Sequence, residues 1–205
     1  MNELIKRILE ISYKHKLSHL SSCITAVETI DKIYSLKKHD EPFILSNGHA
    51  AIALYVVLEK YYFIDAEQLF LKHGTHPNRD LKNKIYASSG SLGHGIGIAT
   101  GMALADRTKN VYVMLSDGEC AEGSVWEALR IAGELRLENL RVTINANGHS
   151  AYSNLDIDLL DSRLQLFYPT LVVRTNLNQF PSWINGIEGH YVVMDEEKYK
   201  EIINA

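Results

Sequence analysis

Cysteine is scarce in this chain: 205 residues contain two, Cys23 and Cys120, and their spacing matches no cysteine-built metal motif. Reduced thiols in a reducing compartment are the simpler expectation. Long apolar runs are also missing. The longest, Ala50 to Leu58, is too short to cross a bilayer, and the N-terminal stretch MNELIKRILEISYKHK carries charge throughout. A cytoplasmic chain without membrane or targeting segment is expected. Nor is there an excess of positive charge: 21 Lys and Arg against 25 Asp and Glu give a formal net charge of −4. The lysine-rich stretches are short and mixed with acids, so nucleic acid is not an expected partner. No repeat or low-complexity tract interrupts the sequence. A hydrophobic content of 46% over this length is enough for one core, and a single domain spanning 1–205 is expected.

Helical patterns alternate with short β-favouring runs. The spacing predicts helices near Glu3 to Lys14, Cys23 to Ser35, Ala50 to Tyr61, Gly95 to Asp106, Ser124 to Leu137, Asp156 to Leu166 and Glu196 to Ile203. Asp65 is placed to cap a brief helix through Lys72. Strands are predicted at Phe43 to Leu45, Val111 to Leu115, Leu140 to Ile144 and Leu171 to Arg174. Such alternation points to an α/β fold, a parallel sheet with helices on both faces.

The segment from Val111 to Ser150 carries the most chemistry. A strand ends at Ser116-Asp117-Gly118, where an open parallel sheet places its ligands, and a helix follows whose first N–H groups suit an anion. The next strand delivers Asn145 and Asn147. Asp117 and Asn147, 30 positions apart, offer two oxygens to one hard cation such as Mg²⁺, which takes few protein ligands beside phosphate oxygens and water.

This segment resembles the thiamine diphosphate motif of the transketolase family. Asp117, Gly118, Glu122, Gly123, Glu127, Ala128, Ala132, Gly133, Leu135, Leu137, Asn139, Leu140 and Asn147 fall where that family has them, while Ser116 replaces the first Gly of its Gly-Asp-Gly. The resemblance implies the thiamine diphosphate-binding fold, with Gly118 and Glu122 in the cofactor site. It also implies Mg²⁺ held by Asp117, the Asn147 side chain and the His149 backbone carbonyl. Glu127, with Glu122, resembles the acids lining the contact between active sites.

Further strings agree. Ser46-Asn47-Gly48-His49 matches the family's own and implies His49 as a proton-transfer or oxygen-binding group. Gly90-Ser91-Leu92-Gly93-His94-Gly95 is similar to Gly-Ser-Leu-Gly-Gln-Gly, implying that Gly90 and Leu92 contact the aminopyrimidine region, with His94 where Gln is common. A dinucleotide fold is disfavoured, since no Gly-x-Gly-x-x-Gly string with an acidic strand end has the right spacing. Ser18-His19 stands in place of Ser-Gly-His, without the Gly, and Thr75-His76-Pro77 resembles Gly-His-Pro. His19 and His76 thereby join His49 as catalytic candidates. His15 and His39 sit among lysines, as solvated residues.

The resemblance runs from about Ser18 to Asn154, then weakens. Tyr168 to Val173 resembles the family's final strand, and Gly189-His190 its late histidine, with room for one strand-helix unit fewer than usual. Full-length transketolases continue into a pyrimidine-binding domain that supplies an activating Glu. Split transketolases carry the diphosphate half as a separate N-terminal subunit. The resemblance implies such a subunit, working with a pyrimidine-domain partner in a heterotetramer to move a two-carbon ketol unit between sugars or sugar phosphates. Two alternatives stay open: a cofactor-binding scaffold that has lost turnover, and a subunit of a 2-oxoacid dehydrogenase or deoxyxylulose phosphate synthase type enzyme.

Overall fold

A computed structural model describes residues 1–150 and 154–204. Four strands form one parallel sheet in the order β1 (Phe43–Leu45), β2 (Val111–Ser116), β3 (Leu140–Ala146), β4 (Thr170–Arg174). Parallel neighbours need crossovers. From β1 to β2 the chain runs through α3 (Ala51–Tyr62), α4 (Ala66–His73) and α5 (His94–Ala105). Helix α6 (Gly123–Glu134) links β2 to β3, and α7 (Ile157–Phe167) links β3 to β4.

Two cores, one on each face, follow from side-chain alternation along the strands. Phe43, Leu45 and Met114 point into a core shared with α1 (Glu3–Lys14), α2 (Leu20–Leu36), α3 and the last helix, α9 (Glu196–Ile203). Ile44, Val113, Leu115, Val142 and Ile144 point into the other, shared with α5 and α6. The expected α/β architecture with helices on both faces is therefore the observed one. Only β4 departs from the two-sided burial usual in parallel sheets. It is an edge strand with Leu171 61% exposed. Among the described residues no helix is long and apolar enough to cross a membrane.

Element ends show where local chemistry differs from periodicity. Asp65 caps α4 as expected, its side chain accepting from the Gln68 N–H. Helix α6 stops at Glu134, three residues before the apolar pattern does. Arg136 takes φ +50° and the Leu137 N–H reaches back to the Ala132 carbonyl, so Leu137 is buried from a turn. Helix α2 begins earlier than its apolar pattern, at Leu20, with His19 in the left-handed region as its first flanking residue. One short helix, α8 (Gly186–Tyr191), has no periodic signal to predict it.

Two helical glycines should respond oppositely to alanine. Gly133→Ala would drive a Cβ to 2.6 Å from the Phe167 carbonyl oxygen, costing about 1–3 kcal/mol through overpacking. Exposed Gly101, with nothing within 4 Å, should gain about 0.5–1 kcal/mol in the same exchange. Urea midpoints of the two variants should therefore move in opposite directions.

Candidate active site

All four strands end at one cavity of about 340 Å³, and each contributes a residue just beyond its carboxyl end. His49 follows β1, Asp117 follows β2, Asn147 follows β3 and Asn176 follows β4. Of the sequence-predicted residues, His49, Leu92, Asp117, Gly118, Glu122, Asn147 and His149 all line it.

Asp117 is the electrical centre of the floor. It is 1% exposed, its Oδ1 accepts the Gly118 N–H at 2.9 Å and its Oδ2 accepts the Gly148 N–H at 2.7 Å. Burial nevertheless outweighs these bonds and raises its carboxyl to about 6. Asn147 Oδ1 accepts the His149 N–H at 3.0 Å. A Cβ on Gly118 would lie 3.2 Å from Ser150 Cα and 3.4 Å from the His149 carbonyl oxygen. The Asp-Gly turn thus packs directly on the segment carrying His149. No group of three or more His, Cys, Asp or Glu suited to a metal occurs among the described residues. The expected set is of another kind, one carboxylate, one amide and one backbone carbonyl, all oxygen donors suited to a hard cation. The described cavity wall includes Asp117 and Glu122 but no Lys or Arg. A diphosphate in it would need positive charge from a cation, so the residues fit Mg²⁺.

Beside this floor stands a histidine cluster, of which His49 and His190 line the cavity and His19 does not. His19 Nδ1 lies 2.7 Å from His190 Nε2, and Ser22 Oγ lies 3.3 Å from His190 Nδ1. His49 stands with its ring centroid 5.3 Å from that of His19 and 5.5 Å from that of His190. The N···N bond needs one donor and one acceptor, so the two rings cannot both be charged. Burial, reinforced by His190 and His76, pushes His19 down to about 4. Burial, reinforced by His19, His190 and His76, pushes His49 down to about 3. Burial lowers His190 as well. At neutral pH these three imidazoles are uncharged.

The remaining candidates divide. His76 stands behind the wall: a Cβ on Gly90 would meet its ring at 3.2 Å, so the glycine makes room for it. Neither Gly90 nor His76 lines the cavity, whereas Leu92 does. His94 and Glu127 line a separate groove between α5 and α6. Sequence reasoning passed over Ser21, Ser22, Asn176, Asn178, Asn185 and Tyr191, which complete the wall. The serines lie in the first turn of α2, one turn earlier than its apolar pattern begins, and the asparagines lie in irregular chain.

Residues 35–168 match the family described as transketolase, thiamine diphosphate binding domain. The chain belongs to the transketolase family. It is similar to one of the subunits of the apulose-4-phosphate transketolase of Phocaeicola vulgatus, with 32% identity over 163 residues, covering 69% of this chain and 57% of that protein. A transketolase of Mus musculus is 33% identical over 183 residues, covering 76% of this chain and 29% of that one. The transketolase structure from Leishmania mexicana superposes with a TM-score of 0.76 at 20% identity, over 97% of this chain and 39% of its own. The transketolase-family chain thus spans between 29% and 57% of the length of these relatives.

The depressed histidines of this transketolase domain carry a pH signature. Between about 6.5 and about 3 the unfolded chain binds a proton at His49 that the native chain refuses, so stability falls as pH drops through that window. Asp117 works the other way between 3.8 and about 6, because its native carboxyl is the better proton acceptor. Replacing His49→Asn removes one of the histidine contributions. The slope of melting temperature against pH should flatten over that window, and an unchanged slope would mean that His49 protonates as easily in the native protein as in the unfolded one.

Proposed function

We propose that this chain is the diphosphate-binding subunit of a split, cytoplasmic transketolase that moves a two-carbon ketol unit from a ketose or ketose phosphate to an aldose. The observation that carries the reading is the cavity itself. Oxygen donors from two strand ends and neutral imidazoles line one space whose described wall holds no Lys or Arg.

In this reading Asp117, Asn147 and the His149 carbonyl hold Mg²⁺, and Gly118 lets the backbone approach the diphosphate. Bound there, thiamine diphosphate supplies the electron sink for breaking and remaking a carbon–carbon bond beside a carbonyl. Leu92 supports the aminopyrimidine side directly and Gly90 through the loop they share, with Glu122 also on the cavity wall. His49 and His190 meet the sugar's oxygens. Held neutral by burial, each imidazole offers one donor and one acceptor, which suits proton exchange with hydroxyl and carbonyl oxygens near pH 7. His19 orients His190 through their shared hydrogen bond, and His76 supports Gly90 from behind.

The partner supplies what this cavity lacks. A separate pyrimidine-domain subunit provides the second half of the cofactor site and the activating Glu, in a heterotetramer of paired heterodimers. The described cavity wall holds no Lys or Arg for a sugar phosphate, so that recognition also falls to the partner. The similarity to a protein that is itself named as one subunit of a transketolase supports this division.

Co-expression with the neighbouring gene's product, followed by a ketose phosphate panel with thiamine diphosphate and Mg²⁺, tests the reading. The complex should transfer and the chain alone should not. Full activity at the mass of the single chain would overturn the split-enzyme reading, and cofactor binding without transfer by the complex would reassign it as a binding subunit. In the active complex, Asp117→Ala should abolish metal-dependent cofactor binding seen by calorimetry. His49→Ala should lower kcat by about 10²- to 10⁴-fold with cofactor affinity nearly unchanged.

A further inference from the structure

Burying a carboxyl group is costly unless its oxygens are engaged, and Glu119 is fully buried without lining the cavity. Its Oε1 accepts two short hydrogen bonds, from Ser46 Oγ at 2.5 Å and from the Gly93 backbone N–H at 2.6 Å. Its own N–H donates to Ser116 Oγ at 3.2 Å. Gly93 is gripped on its other side too, since Ser124 Oγ donates to its carbonyl at 3.2 Å. With φ +81° and a Cβ position 2.2 Å from Ser124 Oγ, Gly93 has no space for a side chain. Ser46 is equally confined: its N–H donates to the Met114 carbonyl at 2.9 Å, and a Cβ on Gly95 would lie 2.5 Å from its Oγ.

Three segments therefore meet at one oxygen atom. The first, 46–49, leads to His49. The second, 90–93, carries Leu92. The third, 116–122, carries Asp117, Gly118 and Glu122. We propose that Glu119 is the positioning residue that holds these three segments in register, so that the groups assigned to thiamine diphosphate and its metal face one cavity. The purpose rests on the cofactor reading; the staple itself rests on geometry alone.

Glu119 forms no ion pair with any described Lys or Arg, and its Oε2 has no hydrogen-bond partner among the described residues. What the arrangement uses is the acceptor at Oε1. A side-chain amide carries an acceptor oxygen in the same place, so Glu119→Gln should substitute where Glu119→Ala cannot.

The test uses the full chain, alone for amide exchange at Gly93 and with its partner for calorimetric titration with thiamine diphosphate and Mg²⁺. In Glu119→Ala the Gly93 amide should exchange at least about tenfold faster, and cofactor affinity should fall about 10- to 100-fold, the effect of orphaning two buried donors. Glu119→Gln should keep both within about threefold of the parent. Ser46→Ala removes one of the two bonds at Oε1 and covers the case in which Glu119→Ala does not fold: Gly93 should stay protected while cofactor affinity falls about two- to tenfold, and unchanged affinity overturns the proposal. Unchanged Gly93 exchange in folded Glu119→Ala, or failure of Glu119→Gln to restore what Glu119→Ala loses, overturns the proposal. A parent complex that binds no thiamine diphosphate sinks the cofactor reading instead, while the amide readout still decides whether Glu119 registers the segments.

Discussion

Asp117 and Asn147 are neighbours because β2 pairs in parallel with β3 in one particular register. Ser116 stands opposite Asn145, and the Asp117 N–H donates to the Asn145 carbonyl at 3.1 Å, continuing the ladder into the turn. A slip of one residue would turn every side chain of a strand to the opposite face. Both faces are buried here, with Val113, Leu115, Val142 and Ile144 against α5 and α6, and Met114 toward α2 and α3. The two cores therefore fix the register, and the register brings the proposed metal donors together. Beyond it, one side-chain network ties α2 to the same strands. Asn145 Nδ2 donates to Thr25 Oγ1 in α2, and Asn145 Oδ1 accepts from Thr175 Oγ1 just past β4. The helix whose first turn carries Ser21 and Ser22, next to His19, is thus bonded to the strand ends that carry Asn147 and Asn176.

Where sequence signals are periodic the elements exist, and only their ends shift, as at Leu20 and Glu134. Phe43 to Leu45 is a strand because three apolar residues between turns have two cores to fill, and α1 ends where its charged and apolar faces stop alternating. The floor of the site was equally legible, since an Asp-Gly turn at a strand end and an Asn beyond the next strand have only one edge of a parallel sheet to occupy. Asn139, matched by the family pattern without a stated role, proves to be structural. Its Nδ2 faces the carbonyls of Ala103, Asp106 and Lys109 at 3.0, 3.0 and 2.8 Å, holding the loop that feeds β2.

The histidine wall was less legible for a physical reason. His19 and His190 are 171 positions apart, and their contact depends on α8 packing against the start of α2. No local pattern encodes such a contact. His19 lacks the glycine usual before it in the family and still reaches the cluster, since a residue in the left-handed region at the helix start turns its ring inward. The asparagines between β4 and α8 had no periodicity to place them, because irregular chain is positioned by what it packs on rather than by its own spacing. Glu119 escaped for the opposite reason: in sequence it is one acid among several around a turn, and only burial distinguishes it from Glu122.

Burial shifts the cavity's carboxyl and imidazole groups in opposite directions, and both toward the uncharged form. Burial makes the histidines refuse protons and makes Asp117 accept one near pH 6. The cause is the same in both cases, the cost of charge in a poorly solvated space. A divalent cation at the Asp117 oxygens acts against that cost, stabilising the carboxylate and lowering its proton affinity. Cation and proton then compete for the same atoms, so loading the proposed site at acidic pH releases protons and weakens as pH falls. His49 and His190 line the same cavity, where such a cation would further disfavour their protonation. A metal bound on the floor would therefore reinforce, through space, the neutral state of the imidazoles that share the cavity.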